Sequence, residues 1–344
     1  MHPPWGYGRI YIITVLLLVL GFIFLRLIKS SSPVRQRQWN QDTLVALAHT
    51  DFDDEQALYA DHPIVNPETL PTFPDPPQDV QEAIDRNLDA GRYLITAVVN
   101  SGMLNYTLNW VESLRRTGYQ QYLIFCIDDA QFDTLSEHGL GDHAVRIPPE
   151  WFHVHVSANF ESYGGLAYKA ITHAKSLVVE WLLHMNVTVV FSDVDIVILK
   201  PHILDYLRTR FHSRPGTIML FSVEFEHKSG NVVNSGFYAM RPSNTSRWVI
   251  RETISVQDRN PDQKSQQEAL NIAVKMVTPK GSVATSQQVA LLDVFLFPNG
   301  NIYFFEEQSL KGLGVDPFMV HANFFVGNDK KEALKKGGLW YLDD

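Results

Sequence analysis

The stretch "VVFSDVDIVILKP", residues 189–201, runs from three apolar residues through Ser192 into Asp193, Val194 and Asp195, then turns apolar again. Two acids one residue apart at the end of a buried-looking strand are costly to desolvate unless something positive holds them. Strand residues alternate faces, so the pattern predicts that Asp193 and Asp195 point the same way. A divalent cation between them is the simplest solution, and hard carboxylate oxygens suit Mg²⁺ or Mn²⁺. The competing reading is one acid capping a turn and one acid in solvent.

The sequence around this stretch alternates strand and helix. "YLITAVV" (93–99) reads as a buried strand. It is followed by a helix with Leu104, Leu108, Val111 and Leu114 on one face and Gly118 as its stop. "YLIFCI" (122–127) is a second strand, "LAYKAITHAKSLVVEWLLHMN" (166–186) a long helix, and "VTVVF" (187–191) the strand that delivers the two acids. "NVVNSGFYAMRPS" (231–243) is a further strand, entered through Asn234, Ser235 and Gly236. This order predicts an α/β domain with one mostly parallel sheet flanked by helices. Ligands of such sheets bind beyond the C-terminal strand ends, where the acids lie.

Composition narrows the function. A net charge of −9 argues against general nucleic-acid binding. The single cysteine, Cys126, sits in an apolar run, forbids an intramolecular disulfide, and reads as a buried thiol. Residues 10–28, beginning "IYIITVLLLVLGFIFL", predict a short transmembrane signal anchor behind a nine-residue tail, with a cleaved signal peptide as the alternative. Arg26, Lys29, Arg35 and Arg37 follow the apolar run, and by charge count alone they would keep its C-terminal side cytosolic. Residues 29–90 read as a proline-rich stem, with six prolines between 62 and 78, and 91–344 as the catalytic domain.

"VVFSDVDIV" also fits the D-x-D-x-V loop of haloacid-dehalogenase-type phosphatases, in which the first acid is a nucleophile. No Gly-Asp pair follows Asp195, and about 100 domain residues precede the motif, so this reading is the weaker one.

"FSDVDIVILKP", "NVVNSGFYAMRPS", "SQQEALN" (265–271), "HANFFVGNDKK" (321–331) and the closing "GGLWYLDD" occur in one order, and "TAVVNSGMLNYTLNWVESLRRTG" (96–118) precedes them. Together they resemble the nucleotide-diphospho-sugar transferase domain of glycosyltransferase family 77. The resemblance covers about residues 92–342. It implies a GT-A fold, a UDP-sugar donor of the xylose, galactose or arabinose class, a glycan or glycoprotein acceptor, Mn²⁺ (or Mg²⁺), and retention of anomeric configuration. It also implies Asp193, Asp195 and His321 as metal ligands. Thr96 and Asp128 would lie near the nucleotide, and Lys175 would reach the donor. Asn234, Ser235 and Gly236 would hold sugar hydroxyls. Gly327 would let the protein backbone approach the diphosphate, and Lys330 or Lys331 would neutralise the departing UDP.

The family commonly carries Asp-Gln where Gln266-Gln267 stands. Gln267 cannot act as a strong nucleophile on the back face of the sugar, so a front-face reaction is expected. The layout of such transferases is single-pass, type II, in the Golgi membrane with a lumenal catalytic domain. The sequons at Asn105, Asn186 and Asn244 permit that placement. A non-catalytic, membrane-anchored glycan-binding or scaffold relative is the different-class alternative.

Overall fold

The computed structural model describes residues 73–343, apart from 153–165, 228–229, 261–263, 279–282, 284–285, 306–309 and 311. The chain divides into two units, Met1–Pro63 and Ile64–Asp344, and every described residue belongs to the second. The expected anchor at 10–28 lies outside the described residues. Among those described, no helix is long and apolar enough to cross a membrane.

The sheet has seven strands: β1 (Tyr93–Val99), β2 (Leu123–Cys126), β3 (Ala144–Arg146), β4 (Thr188–Ser192), β6 (Met219–His227), β7 (Gly230–Met240) and β8 (Val289–Leu291), in the order β3-β2-β1-β4-β7-β6-β8. Strands β3, β2, β1 and β4 are parallel, β7 runs antiparallel between β4 and β6, and β8 is parallel to β6. The sheet is therefore mostly parallel, as the alternating pattern predicts.

The period-two pattern sorts side chains to two helix-covered faces. On one face Leu94, Val98, Val189, Phe191 and Tyr238 pack with helices α1 (Gln78–Asn87), α4 (Leu166–His184), α6 (Asn244–Arg259) and α7 (Gln266–Met276). On the other, Ile95, Ala97, Val99, Val190 and Phe237 meet α2 (Leu104–Arg116), α3 (Asp129–Glu137) and α5 (Ile203–Ser213).

Two differences from the expected organisation matter for the site. First, α1 falls inside the expected stem, yet buries Val80, Ala83 and Ile84 in the core. Phe73 also packs edge-on to Trp181 at 4.7 Å. Proline ends at Pro77, and the ten residues after it carry an amphipathic pattern that can close a helix.

Second, there is another sheet. The apolar half of "DIVILKP" forms β5 (Ile196–Ile198), which pairs antiparallel with β9 (Met319–His321) and sets Ile196 opposite His321. Asp193 and Asp195 therefore sit in the turn between β4 and β5, not on a continuous strand.

Candidate active site

The site forms where β4 ends. Its neighbour β1 leads away toward β2 on one side, and β7 begins its antiparallel run on the other. The Asp193 amide donates to the Gly236 carbonyl at 2.7 Å, so the acidic turn is joined directly to the Asn-Ser-Gly run, which lies in the middle of β7 and not at the expected strand entry. The β5–β9 pairing carries His321 in from the far end of the chain, and the Ala322 amide donates to the Asp195 carbonyl at 3.0 Å.

One ligand atom from each of Asp193, Asp195 and His321 lies within 4.8 Å of the other two. Alternation along a strand does not align the carboxylates; the turn and the second sheet do. His321 Nε2 is 3.2 Å from Asp195 Oδ1, a buried oxygen that nonetheless has no hydrogen-bond partner. An orphaned, buried carboxylate oxygen beside an imidazole and a second carboxylate fits a divalent cation.

Two lysines flank the acids. Lys175 from α4 reaches Asp193 Oδ1 at 2.5 Å, and Lys330 reaches Asp195 Oδ2 at 2.5 Å. Burial alone would push the Asp195 carboxyl up, but the Lys330 ammonium and His321 hold it well below the usual carboxylate range. Burial acts to lower the His321 pKa, but the Asp195 charge and contact together with the Asp193 charge outweigh it, so the imidazole is raised. Lys330 comes from helix α8 (Asn328–Lys336), which starts after Gly327 at φ 59°, a left-handed conformation suited to glycine. Its neighbour Lys331 lies over the Trp340 ring at 4.9 Å instead.

Gly236 is held to its identity by space. A Cβ there would stand 2.4 Å from His321 Cε1 and 2.9 Å from Asp193 Oδ2. The glycine is the floor against which the histidine and carboxylate meet.

The remaining expected residues divide. Asn234 Oδ1 accepts from the Gly236 amide at 2.7 Å, and its Nδ2 donates to Glu224, so Asn234 braces the middle of β7 beside the acids. The Ser235 amide donates to Gln267 Oε1 at 3.1 Å, which places Gln267 one residue from Gly236. Thr96 is fully buried in mid-strand with its hydroxyl donating to the Leu123 carbonyl, so it ties β1 to β2. Asp128 caps α3 through the Gln131 amide at 2.9 Å and also accepts from the Ser101 amide at 2.8 Å. It braces the ends of two elements at the sheet edge.

Glu224 on β6 is the residue that sequence reasoning missed. Its Oε2 accepts from Asn323 Nδ2 at 2.9 Å as well as from Asn234, so one carboxylate ties the middle of β7 to the segment after His321. Burial pushes its pKa up, against the pull of the Asn234 hydrogen bond.

The model of one family, described as nucleotide-diphospho-sugar transferase, matches residues 117–334, well over half of the chain. The chain belongs to the nucleotide-diphospho-sugar transferase family.

Among curated relatives of this nucleotide-diphospho-sugar transferase is the Dictyostelium discoideum UDP-galactose:fucoside alpha-3-galactosyltransferase. It is 24% identical over 281 residues, covering 73% of this chain but 43% of the relative. The Arabidopsis thaliana UDP-D-xylose:L-fucose alpha-1,3-D-xylosyltransferase 1 is 27% identical over 271 residues, covering 73% of this chain and 71% of the relative. A solved structure of the galactosyltransferase LgtC with donor and acceptor sugar analogues matches distantly, at 11% identity and a TM-score of 0.45, over 73% of this chain and 97% of that one. The transferase family's GT-A architecture accounts for the mostly parallel, helix-flanked sheet, with the two-stranded β5–β9 sheet as an addition to the expected single layer.

Proposed function

We propose that this chain is a metal-dependent, retaining glycosyltransferase that moves a sugar from a UDP-sugar to a glycan or glycoprotein acceptor. The convergence of Asp193, Asp195 and His321 on the Gly236 floor, flanked by Lys175 and Lys330, carries the reading. The two carboxylates and two lysines cancel in charge. A bound Mn²⁺ or Mg²⁺ would then supply the positive charge that complements a diphosphate leaving group.

The chain's own residues would do the rest. Asp193, Asp195 and His321 hold the cation. Lys330 and Lys175, which flank the acids, would neutralise the departing phosphate oxygens. Gln267 lies near the sugar's position but offers an amide, which cannot form a covalent sugar ester. The C1–phosphate bond therefore breaks as the acceptor oxygen approaches the same face, and the acceptor proton passes to the leaving phosphate.

The relatives named above use different donors, galactose and xylose, yet both names specify a fucose-type acceptor. A terminal fucose is accordingly the first acceptor to test. Membrane anchoring through residues 10–28, with the catalytic domain in the Golgi lumen, completes the proposal; protection of that domain from protease in intact microsomes is expected, and digestion from the cytosolic side contradicts it.

The purified protein is incubated with Mn²⁺, methyl α-L-fucoside, and UDP-galactose, UDP-xylose or a UDP-arabinose in turn. UDP release with one donor, and a product by NMR whose new linkage keeps that donor's anomeric configuration, is the expected result. Donor inversion would overturn the retaining step. Mn²⁺-dependent UDP binding without turnover of any donor would favour the non-catalytic relative.

A further inference from the structure

Beside the candidate cation site lies an apolar patch that the chemistry above does not use, made of the exposed Phe305 and Val326 and the half-buried Phe325. Phe305 is 58% exposed and stacks on Phe325 with ring centroids 5.4 Å apart and planes at 20°. Val326, next in sequence, is 52% exposed. Exposed apolar rings cost solvation free energy and call for an explanation when they cluster.

Their position supplies one. Phe325 lies on the segment between His321 and Lys330, so it is strung between two residues of the cation site. Phe305 ends the turn Asn301–Phe305, and that turn is fixed to the same segment at its other end. The Gly300 amide donates to Asn323 Oδ1 at 2.7 Å, and a Cβ on Gly300 would fall 2.0 Å from the Asn323 carbonyl oxygen. No side chain fits between the two backbones. Asn323 is held in turn by Glu224. Phe324 adopts φ 66°, a left-handed conformation that bulky residues rarely accept, just before Phe325. Strain is thus tolerated where it sets the direction of the half-buried Phe325 ring. Phe325 is also braced edge-on by Phe304 at 5.2 Å.

We infer that the Phe305–Phe325 shelf is the acceptor subsite and takes the apolar face of a pyranose ring, with the methyl group of a 6-deoxyhexose as its preferred contact. The inference rests on the transferase reading above and adds the acceptor's binding surface to it. A pyranose presents a patch of C–H groups comparable in size to one aromatic face. Replacing a hydroxymethyl by a methyl removes a hydroxyl that an aromatic surface cannot hydrogen-bond. The flat exposed face, the absence of charge on Phe305, Phe325 and Val326, and continuity with the cation site fit a neutral sugar better than a nucleotide phosphate.

The test uses the intact protein with Mg²⁺, with and without UDP. Binding of methyl α-L-fucoside and methyl α-L-galactoside is followed by saturation-transfer NMR, and UDP binding by calorimetry. The fucoside is expected to bind with its strongest transfer at the C6 methyl, and the galactoside about tenfold more weakly. Phe305→Ala should weaken the fucoside about tenfold and leave UDP affinity unchanged, and Phe305→Trp should restore fucoside binding. Phe305 is mostly in solvent, so its truncation removes little packing, and Phe325→Leu gives a second variant that keeps an apolar side chain. The inference is overturned if the fucoside does not bind, if Phe305→Ala binds it as the unaltered protein does, or if the substitution weakens UDP and fucoside alike. Normal metal-dependent UDP binding with no fucoside binding would remove the shelf alone. Loss of UDP binding in the unaltered protein would remove the transferase reading itself.

Discussion

Gly236 and Glu224 show how differently two residues of one site register in a sequence. Gly236 is legible from its Asn-Ser-Gly run, which falls within β7 and not at its start, although its reason is spatial: the site has no room for a Cβ. Gly236→Ala is predicted to fold and to bind Mn²⁺ at least tenfold more weakly, because His321 must move off its position; unchanged Mn²⁺ affinity would show that the floor is not tight. Glu224 is not legible, since its partners Asn234 and Asn323 lie 10 and 99 residues away and only the fold brings them to one carboxylate. Glu224→Ala leaves both amides without that acceptor. At about 1–3 kcal/mol for such a loss, thermal unfolding should shift measurably downward and donor turnover should fall with it. Asp195→Ala removes the acid that His321 and Lys330 share. Its turnover should fall by about 10²–10³, the usual cost of deleting one group that stabilises a developing charge, in a protein that remains folded.

At the level of elements, the strands were readable and the joints were not. Near-continuous apolar runs place β1 and β4 within about a residue of their observed limits, because both faces of those strands are buried and most side chains are apolar. The expected apolar face of α2 is only partly right. Trp110 and Leu114 are fully buried, but so are Thr107, Asn109 and Ser113, whose polar groups are satisfied internally. Asn109 explains this: its Nδ2 donates to the Leu339 carbonyl at 3.0 Å, and its Oδ1 accepts from the Tyr341 amide at 2.6 Å. The helix thereby clamps the closing "GGLWYLDD" segment, which follows α8 and hence Lys330. A buried asparagine that replaces a strand partner gives no periodic signal. Asn109→Leu fills similar volume but cannot make either bond. It is predicted to raise amide exchange across residues 328–343 and to weaken UDP binding several-fold, while exchange in β1 and β4 stays slow. Equal loosening throughout would assign Asn109 to general stability.

Across the whole molecule, the sequence places the catalytic body too late. Proline density marks where a chain cannot form regular structure, but it does not mark where packing begins. Helix α1 follows the last proline directly and buries Val80 and Ile84. Each such side chain is worth about 1.5–3 kcal/mol when fully buried. A chain beginning at residue 73 should unfold cooperatively near the temperature of the full-length protein, whereas one beginning at residue 91 should unfold many degrees lower or aggregate; equal stability would show that α1 is dispensable. The second sheet was equally hidden. Nothing local pairs Ile196 with His321, yet this register assembles the cation site from the middle and the end of the chain. The central claim is that this assembled centre uses a divalent ion to bind a nucleoside diphosphate, and calorimetric titration of UDP into the protein tests it most directly. UDP should bind in Mn²⁺, lose at least tenfold in affinity in EDTA, and recover when Mn²⁺ is returned in excess; equal affinity with and without the metal, or no binding in either, would contradict the account.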